Sequence, residues 1–170
     1  MHDQPLGFQA SAVQILDQSM AKIRHCLSQL SETQVWWRPD PAMNSIGNLL
    51  LHLDGNLRQW GVTPFTLARD DRDRNGEFDS RAQMAPEALL EQLEATVEAA
   101  KQQWEHLSDD QLQRMVTIQG FTVSHLHAIM HTSSHFVGHT HQIIQLTRLL
   151  LRSSYRFHWT PAEDRGDVPV

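Results

Sequence analysis

Four separate stretches of this chain carry apolar residues at alternating spacings of three and four, a pattern that admits little besides packed helices. In the first, Val13, Leu16, Met20, Ile23, Leu27 and Leu30 form one seam, which predicts a helix over 8–30. Asn44 is placed to cap a second helix with the seam Ile46, Leu50, Leu53, Leu57 and Trp60, and Pro64 with the polar stretch behind it ends that helix. The third starts near Pro86, a residue suited to a first turn, and runs through Leu90, Leu93, Val97, Ala100, Trp104 and Leu107. The fourth starts near Ser124 and reaches about Leu151. Leu126, Ile129, Phe136, Ile143 and Leu150 lie on one line, with Met130, Val137, Ile144 and Leu151 beside it. Mixed three/four seams suit the shallow crossing angle of a left-handed bundle, so the expected fold is all-α, a four-helix bundle. Only Met115 to Val123 reads as a short extended piece.

Two connections are long. Residues 31–43 hold two adjacent tryptophans and two prolines and read as an ordered connection. Residues 61–85 include a run, 68–81, of thirteen polar or small residues around Phe78, which predicts a solvated crossover. Asp71, Asp73, Asn75 and Gly76 in this run imitate the first half of a calcium-binding EF-hand loop. The glutamate that should close such a loop falls on Ala82, and Arg69, Arg72 and Arg74 intrude, so a solvated turn is the better reading. The bundle takes up residues 1–151 as a single domain, with 152–170 as a tail. The Pro/Gly/acid-rich part after Trp159 is expected to be disordered.

Fourteen Lys+Arg against twenty Asp+Glu leave a net charge of −6, which argues against a nucleic-acid partner bound by bulk positive charge. Cys26 is the one cysteine, which excludes an intramolecular disulfide and any Cys-rich metal site. No apolar run approaches the length of a membrane span. The N-terminus MHDQPLGF has neither a basic nor an apolar signal region, so a cytoplasmic protein is expected.

Eleven histidines are unusual in 170 residues, and seven of them fall between His106 and His141. Histidine is the commonest metal ligand. His127, His131, His135 and His139 follow at four-residue steps, so neighbours share a helix face and two imidazoles can converge on one ion. A catalytic site takes three protein ligands, so a third must come from elsewhere in the bundle. His52 is the best candidate. It sits mid-way along the second helix, about 100° round from the seam residue Leu53, with Asn48 and Asn56 one turn to either side. Ser133, Thr140 and Thr147 replace large apolar residues in the fourth seam and leave room for a cavity. Against this stands the observation that a single mid-helix histidine is more often a hydrogen-bonded core residue than a ligand. His2, His25, His106, His125 and His158 read as surface or boundary residues, and Cys26 as a small buried hydrophobe.

The stretches NSIGNLLLHLDGNLRQW (44–60) and HFVGHTHQIIQLTRLL (135–150), in this order, resemble the DinB/YfiT-like superfamily of metal-dependent proteins. WWRPDPAMNSIG (36–47) and DRNGEFDSR (73–81) are similar to a DinB-like subgroup. The resemblance covers most of residues 8–151 and implies a bundle with long crossovers, usually a homodimer, that holds a divalent metal on three histidines. One would be His52. The others come from the HxxxHxxQI pattern, here His135 and His139, because Gln142 and Ile143 follow only that pair at the right offset. Where the family carries glycine before the glutamine, this chain has His141, about 200° round from His139.

Three neutral imidazoles leave an ion its full charge and an open position, from which it can lower the pKa of a bound water or thiol. Imidazole suits zinc, nickel, copper and iron, with zinc or nickel first here. The resemblance implies a metal-dependent enzyme acting on a small molecule, a transferase using a low-molecular-weight thiol, with Gln142 and Asn56 as accessory groups. A hydrolase would need a base. No carboxylate lies in the HxxxH segment and Asp54 points about 200° away from His52, so a distant loop such as 73–81 would have to supply Glu77 or Asp79. A non-catalytic metal-binding or stress-response protein, and a plain helical dimerisation module, are the competing classes.

Overall fold

The computed structural model describes residues 7–66, 68–81 and 84–159. In chain order it contains α1 (Phe8–Leu27), α2 (Glu32–Val35), α3 (Ile46–Leu57), α4 (Arg74–Asp79), α5 (Pro86–Trp104) and α6 (Asp109–Leu112). A hairpin of β1 (Met115–Ile118) and β2 (Phe121–Ser124) follows, and then α7 (His125–Leu151). The four long helices are the four seams. α1 packs against α5 and α7, and α3 closes the ring by packing against the same two helices. Leu16, Met20 and Ile23 of α1, Leu50, Leu53 and Leu57 of α3, Leu93 and Trp104 of α5, and Ile129, Phe136 and Ile143 of α7 are fully buried between them. Each such side chain contributes about 1.5–3 kcal/mol by leaving water. Among the described residues no helix is long and apolar enough to cross a membrane.

Several local expectations are corrected. The cap of α3 is Ser45, not Asn44: the Ser45 hydroxyl accepts the Asn48 N–H at 3.2 Å, and Asn48 Oδ1 accepts back from the Ser45 N–H at 3.3 Å. α3 does not end at Pro64 as one helix. It widens into a π-helical turn over Arg58–Val62 and then tightens into a 3₁₀ turn over Thr63–Phe65. Gln59 and Trp60 are both buried in the widened turn. Such turns insert one extra residue and re-aim side chains.

The crossover is solvated over most of its length, with residues 68–71, 73–75, 79 and 81 exposed, but it is more than a turn. Asp73, which resembled a calcium ligand, caps α4 by accepting from the Gly76 N–H at 3.0 Å. α4 lies across α3, where Asn48 Nδ2 donates to the Glu77 carbonyl at 2.8 Å. Glu77 is buried. Connection 31–43 is ordered as expected. Trp36 donates to the Met84 carbonyl at 2.9 Å, and its ring lies so close to Gly47 that a Cβ there would stand 2.9 Å from the indole.

The extended piece is a two-residue hairpin, with Gln119 and Gly120 at φ 51° and 83° as its turn. His125, expected at the surface or boundary, is buried with its ring 4.5 Å from that of Phe65, because α7 begins beneath the 3₁₀ turn. Thr140 and Thr147 are buried, and each donates to the carbonyl four residues back, at 2.8 Å. Cys26 is fully buried. Beyond α7, the Arg156 N–H donates to Gln29 Oε1 at 2.8 Å, just past α1, and the Arg156 carbonyl lies 2.6 Å from His25 Nε2 in the last turn of α1. The tract after Trp159 lies outside the described residues.

Candidate metal centre

His52 stands in the middle of α3, and His135 and His139 stand one turn apart in the middle of α7, the neighbouring helix. The Nε2 of His135 is 3.0 Å from that of His52 and 3.1 Å from that of His139. One ring nitrogen from each of the three lies within 4.8 Å of the others. A bond one turn away holds this register: the buried Thr132 hydroxyl donates to the buried Asn56 Oδ1 at 3.0 Å. Asn56, expected as an accessory group, thus joins α3 to α7 and does not point among the imidazoles.

The outer nitrogens decide what the inner ones can do. His139 Nδ1 lies 2.7 Å from Gln142 Oε1, and His52 Nδ1 lies 2.9 Å from Glu77 Oε2. Amide and carboxylate oxygens only accept, so each ring donates from Nδ1, and the neutral form of each carries its lone pair on Nε2, facing inward. Two lone pairs then face His135 Nε2, which has at most one proton to offer. A cation satisfies all three, and neutral imidazole nitrogens are the donor set that zinc, nickel and their neighbours take. The residues present therefore fit a transition-metal ion.

The electrostatics agree. Burial, reinforced by His139 and His52, pushes the His135 imidazole down from its usual value to about 3. Burial lowers His139 as well, partly opposed by its bond to Gln142. Both rings are neutral, and so competent as ligands, at neutral pH. Burial would raise the Glu77 carboxyl, but hydrogen bonds from Arg72 and His52 outweigh it and hold the group below its ordinary value.

Arg72 grips Glu77 with two bonds, Nε to Oε1 at 2.6 Å and Nη2 to Oε2 at 2.8 Å. The same Nη2 lies 3.1 Å from His52 Nδ1, and both groups turn their hydrogens to the one Glu77 oxygen. Arg72 Nη1 donates to Gln59 Oε1 at 2.9 Å, and Gln119 at the hairpin tip donates to the same oxygen at 2.7 Å. Gly55 makes the space: a Cβ there would overlap Glu77 Oε1 and stand 2.9 Å from Arg72 Nε. The Phe78 ring lies 4.6 Å from that of His52.

Of the remaining histidines, His131 has its ring 4.1 Å from that of Trp60, tilted by 35°, while His127 and His141 are exposed. Asp79 is exposed. Spacing did not point to Arg72, Gln59 or Gly55. The one signal available was a glycine inside an amphipathic helix, which usually has a packing reason.

A family model described as "Protein of unknown function (DUF1572)" matches residues 8–163. No curated protein matches the chain. A crystal structure of a conserved protein from Enterococcus faecalis superposes with a TM-score of 0.69 at 16% identity, over 86% of this chain and 99% of that one. The crystal structure of a DinB-like protein, YjoA, from Bacillus subtilis does so with a TM-score of 0.57 at 15% identity, over 88% of this chain and 98% of that one. At these identities the likeness is one of fold.

Proposed function

Because the chain belongs to the DUF1572 family and shares its fold with a DinB-like protein, we propose that His52, His135 and His139 hold a divalent transition metal, zinc or nickel first, in an enzyme acting on a small molecule. The reading rests on the inward convergence of three Nε2 atoms, two of them with Nδ1 tied to an acceptor. When bound, the ion would supply Lewis acidity, lowering the pKa of a coordinated thiol or water and polarising a carbonyl.

The surrounding residues favour a low-molecular-weight thiol over water as the nucleophile. Glu77 sits against the Nδ1 edge of His52 and is paired with Arg72. It faces away from the Nε2 side, where a nucleophile would arrive, and is not placed to take a proton there. A thiol ionises near pH 8–9 with little help, whereas water needs far more. Gln142, exposed at the rim, keeps the His139 ring turned inward. A thiol-dependent transferase follows more naturally from this arrangement than a base-assisted hydrolase.

The test is elemental analysis of protein purified without added metal, beside His52→Ala and His135→Ala, followed by a panel of small thiols with electrophilic acceptors. About one transition-metal ion per chain is expected for the unaltered protein and traces for the variants, with thiol-dependent turnover lost in His52→Ala. Trace metal throughout, with failed reconstitution, sinks the reading. Full metal loading with no turnover on this panel would count against the thiol-dependent transferase and leave the metal site standing.

A further inference from the structure

Glu77 and Arg72 form an ion pair with only 10% and 5% of their side chains exposed, against the outer edge of a His52 ring that is itself 6% exposed. Burying a carboxylate and a guanidinium together is expensive, and an apolar pair of the same volume often serves stability better. α3 gives up helix propensity at Gly55 to admit them, since a Cβ there would overlap the carboxylate. α4 carries Glu77 itself, the π-helical turn reaches Arg72 through Gln59, and the hairpin tip braces Gln59 through Gln119. All of this converges on one atom, His52 Nδ1.

We infer that Glu77, gripped by Arg72 and given room by Gly55, is the positioning residue of the centre, accepting the Nδ1 proton of His52 and so directing the Nε2 lone pair at the ion. The inference rests on the three-histidine reading above. A histidine ligand whose second nitrogen donates to a carboxylate is held in one tautomer and one ring orientation, and becomes a better donor. Arg72 has a separate effect. Its two bonds leave Glu77 an acceptor for the imidazole proton while cancelling its charge, so the ion keeps its double charge toward substrate. Without Glu77, Arg72 Nη2, 3.1 Å from Nδ1, becomes the nearest donor to that nitrogen. Bonding there puts the ring proton on Nε2, in the way of the ion.

The experiment measures zinc affinity by chelator competition, and the visible spectrum of the cobalt-loaded protein, for the full chain. The variants are Glu77→Gln, Gly55→Ala and, as a distant control, Glu94→Gln, whose partner Arg24 lies on the exposed side of α1. Zinc should bind roughly 10- to 100-fold more weakly to Glu77→Gln and Gly55→Ala, with a shifted cobalt band in both and Glu94→Gln like the unaltered protein. Ring ¹⁵N shifts should show the Nδ1-protonated tautomer of His52 in the zinc-loaded unaltered protein and a mixture in Glu77→Gln. Gly55→Ala keeps every polar group and raises helix propensity, so it carries the test if Glu77→Gln does not fold. Folded variants with unaltered zinc affinity and cobalt spectrum overturn the inference and leave the three-histidine reading standing. Unaltered zinc binding in His52→Ala brings down that reading itself.

Discussion

The Nδ1 of His52 and the Oε2 of Glu77 stand 2.9 Å apart although 25 residues separate them in the chain. One belongs to a bundle helix and the other to the crossover, so the connection that looks most dispensable in the sequence is part of the centre. Its geometry makes the scaffold and the site separable by experiment.

Gln142→Ala removes the acceptor that holds His139 Nδ1 at 2.7 Å, at an exposed position where nothing in the core changes. Zinc affinity should fall by roughly 10-fold with the thermal midpoint unmoved. Chelator competition alongside circular-dichroism melting checks both halves, and unaltered affinity would show that the amide contributes nothing to the ring's orientation.

Asn56→Ala should do the reverse. It leaves the buried Thr132 hydroxyl without its 3.0 Å acceptor between α3 and α7, at a cost of about 1–3 kcal/mol. The urea midpoint should drop while the folded protein still binds one zinc ion. A variant as stable as the unaltered protein would mean that this bond does not hold the register.

Acid should destabilise the metal-free protein earlier than its carboxylates alone would. His135 and His139 bind protons less readily folded than unfolded, so below pH about 6.5 the unfolded chain carries the extra protons and stability falls as pH falls. The contribution is fully present above that pH and is lost on the way down toward the folded value of His135, about 3. Glu77, held below its ordinary 4.5, adds its own loss as pH falls below about 4.5, within the same window. Urea midpoints at pH 7.5 and 5 should therefore differ. His135→Gln should flatten the slope by up to about 1.4 kcal/mol per pH unit, the linkage for one proton. Equal midpoints at the two pH values would contradict the neutral-imidazole cluster.

Phe136→Ala opens a hole at a side chain only 1% exposed, beside His135 on α7. The expected loss is about 3–5 kcal/mol, which for a chain of this size lowers the melting temperature by roughly 6–20 °C. Differential scanning calorimetry checks it, and a shift of under 2 °C would mean that the bundle collapses around the gap.

The helices were legible because their evidence is local. Leu16, Met20 and Ile23 lie on one face at any radius of the fold, since 3.6 residues per turn forces it. The same arithmetic put His135 above His139 before any partner was known. Errors fell where an interaction crosses elements. Asn44 and Ser45 are equally good caps on paper, and the choice went to Ser45 because Asn48 answers it from three residues on. The run at 68–81 reads as solvated because its composition is polar, yet Arg72 and Glu77 satisfy one another and can be buried together.

By itself, then, the amino-acid order determined that there would be four amphipathic helices, that His127, His131, His135 and His139 would share one helix face with His52 as the candidate partner, and that Gln142 would sit one turn from His139. Only the tertiary structure decided that Asn56 joins two helices instead of facing the imidazoles, and that Arg72, Gln59 and Gly55 stand behind His52. Periodicity within a helix specifies a face but not its rotation against a neighbour. Contacts between residues 25 or 83 positions apart depend on that rotation and on the path of the crossover, which are set when the core packs.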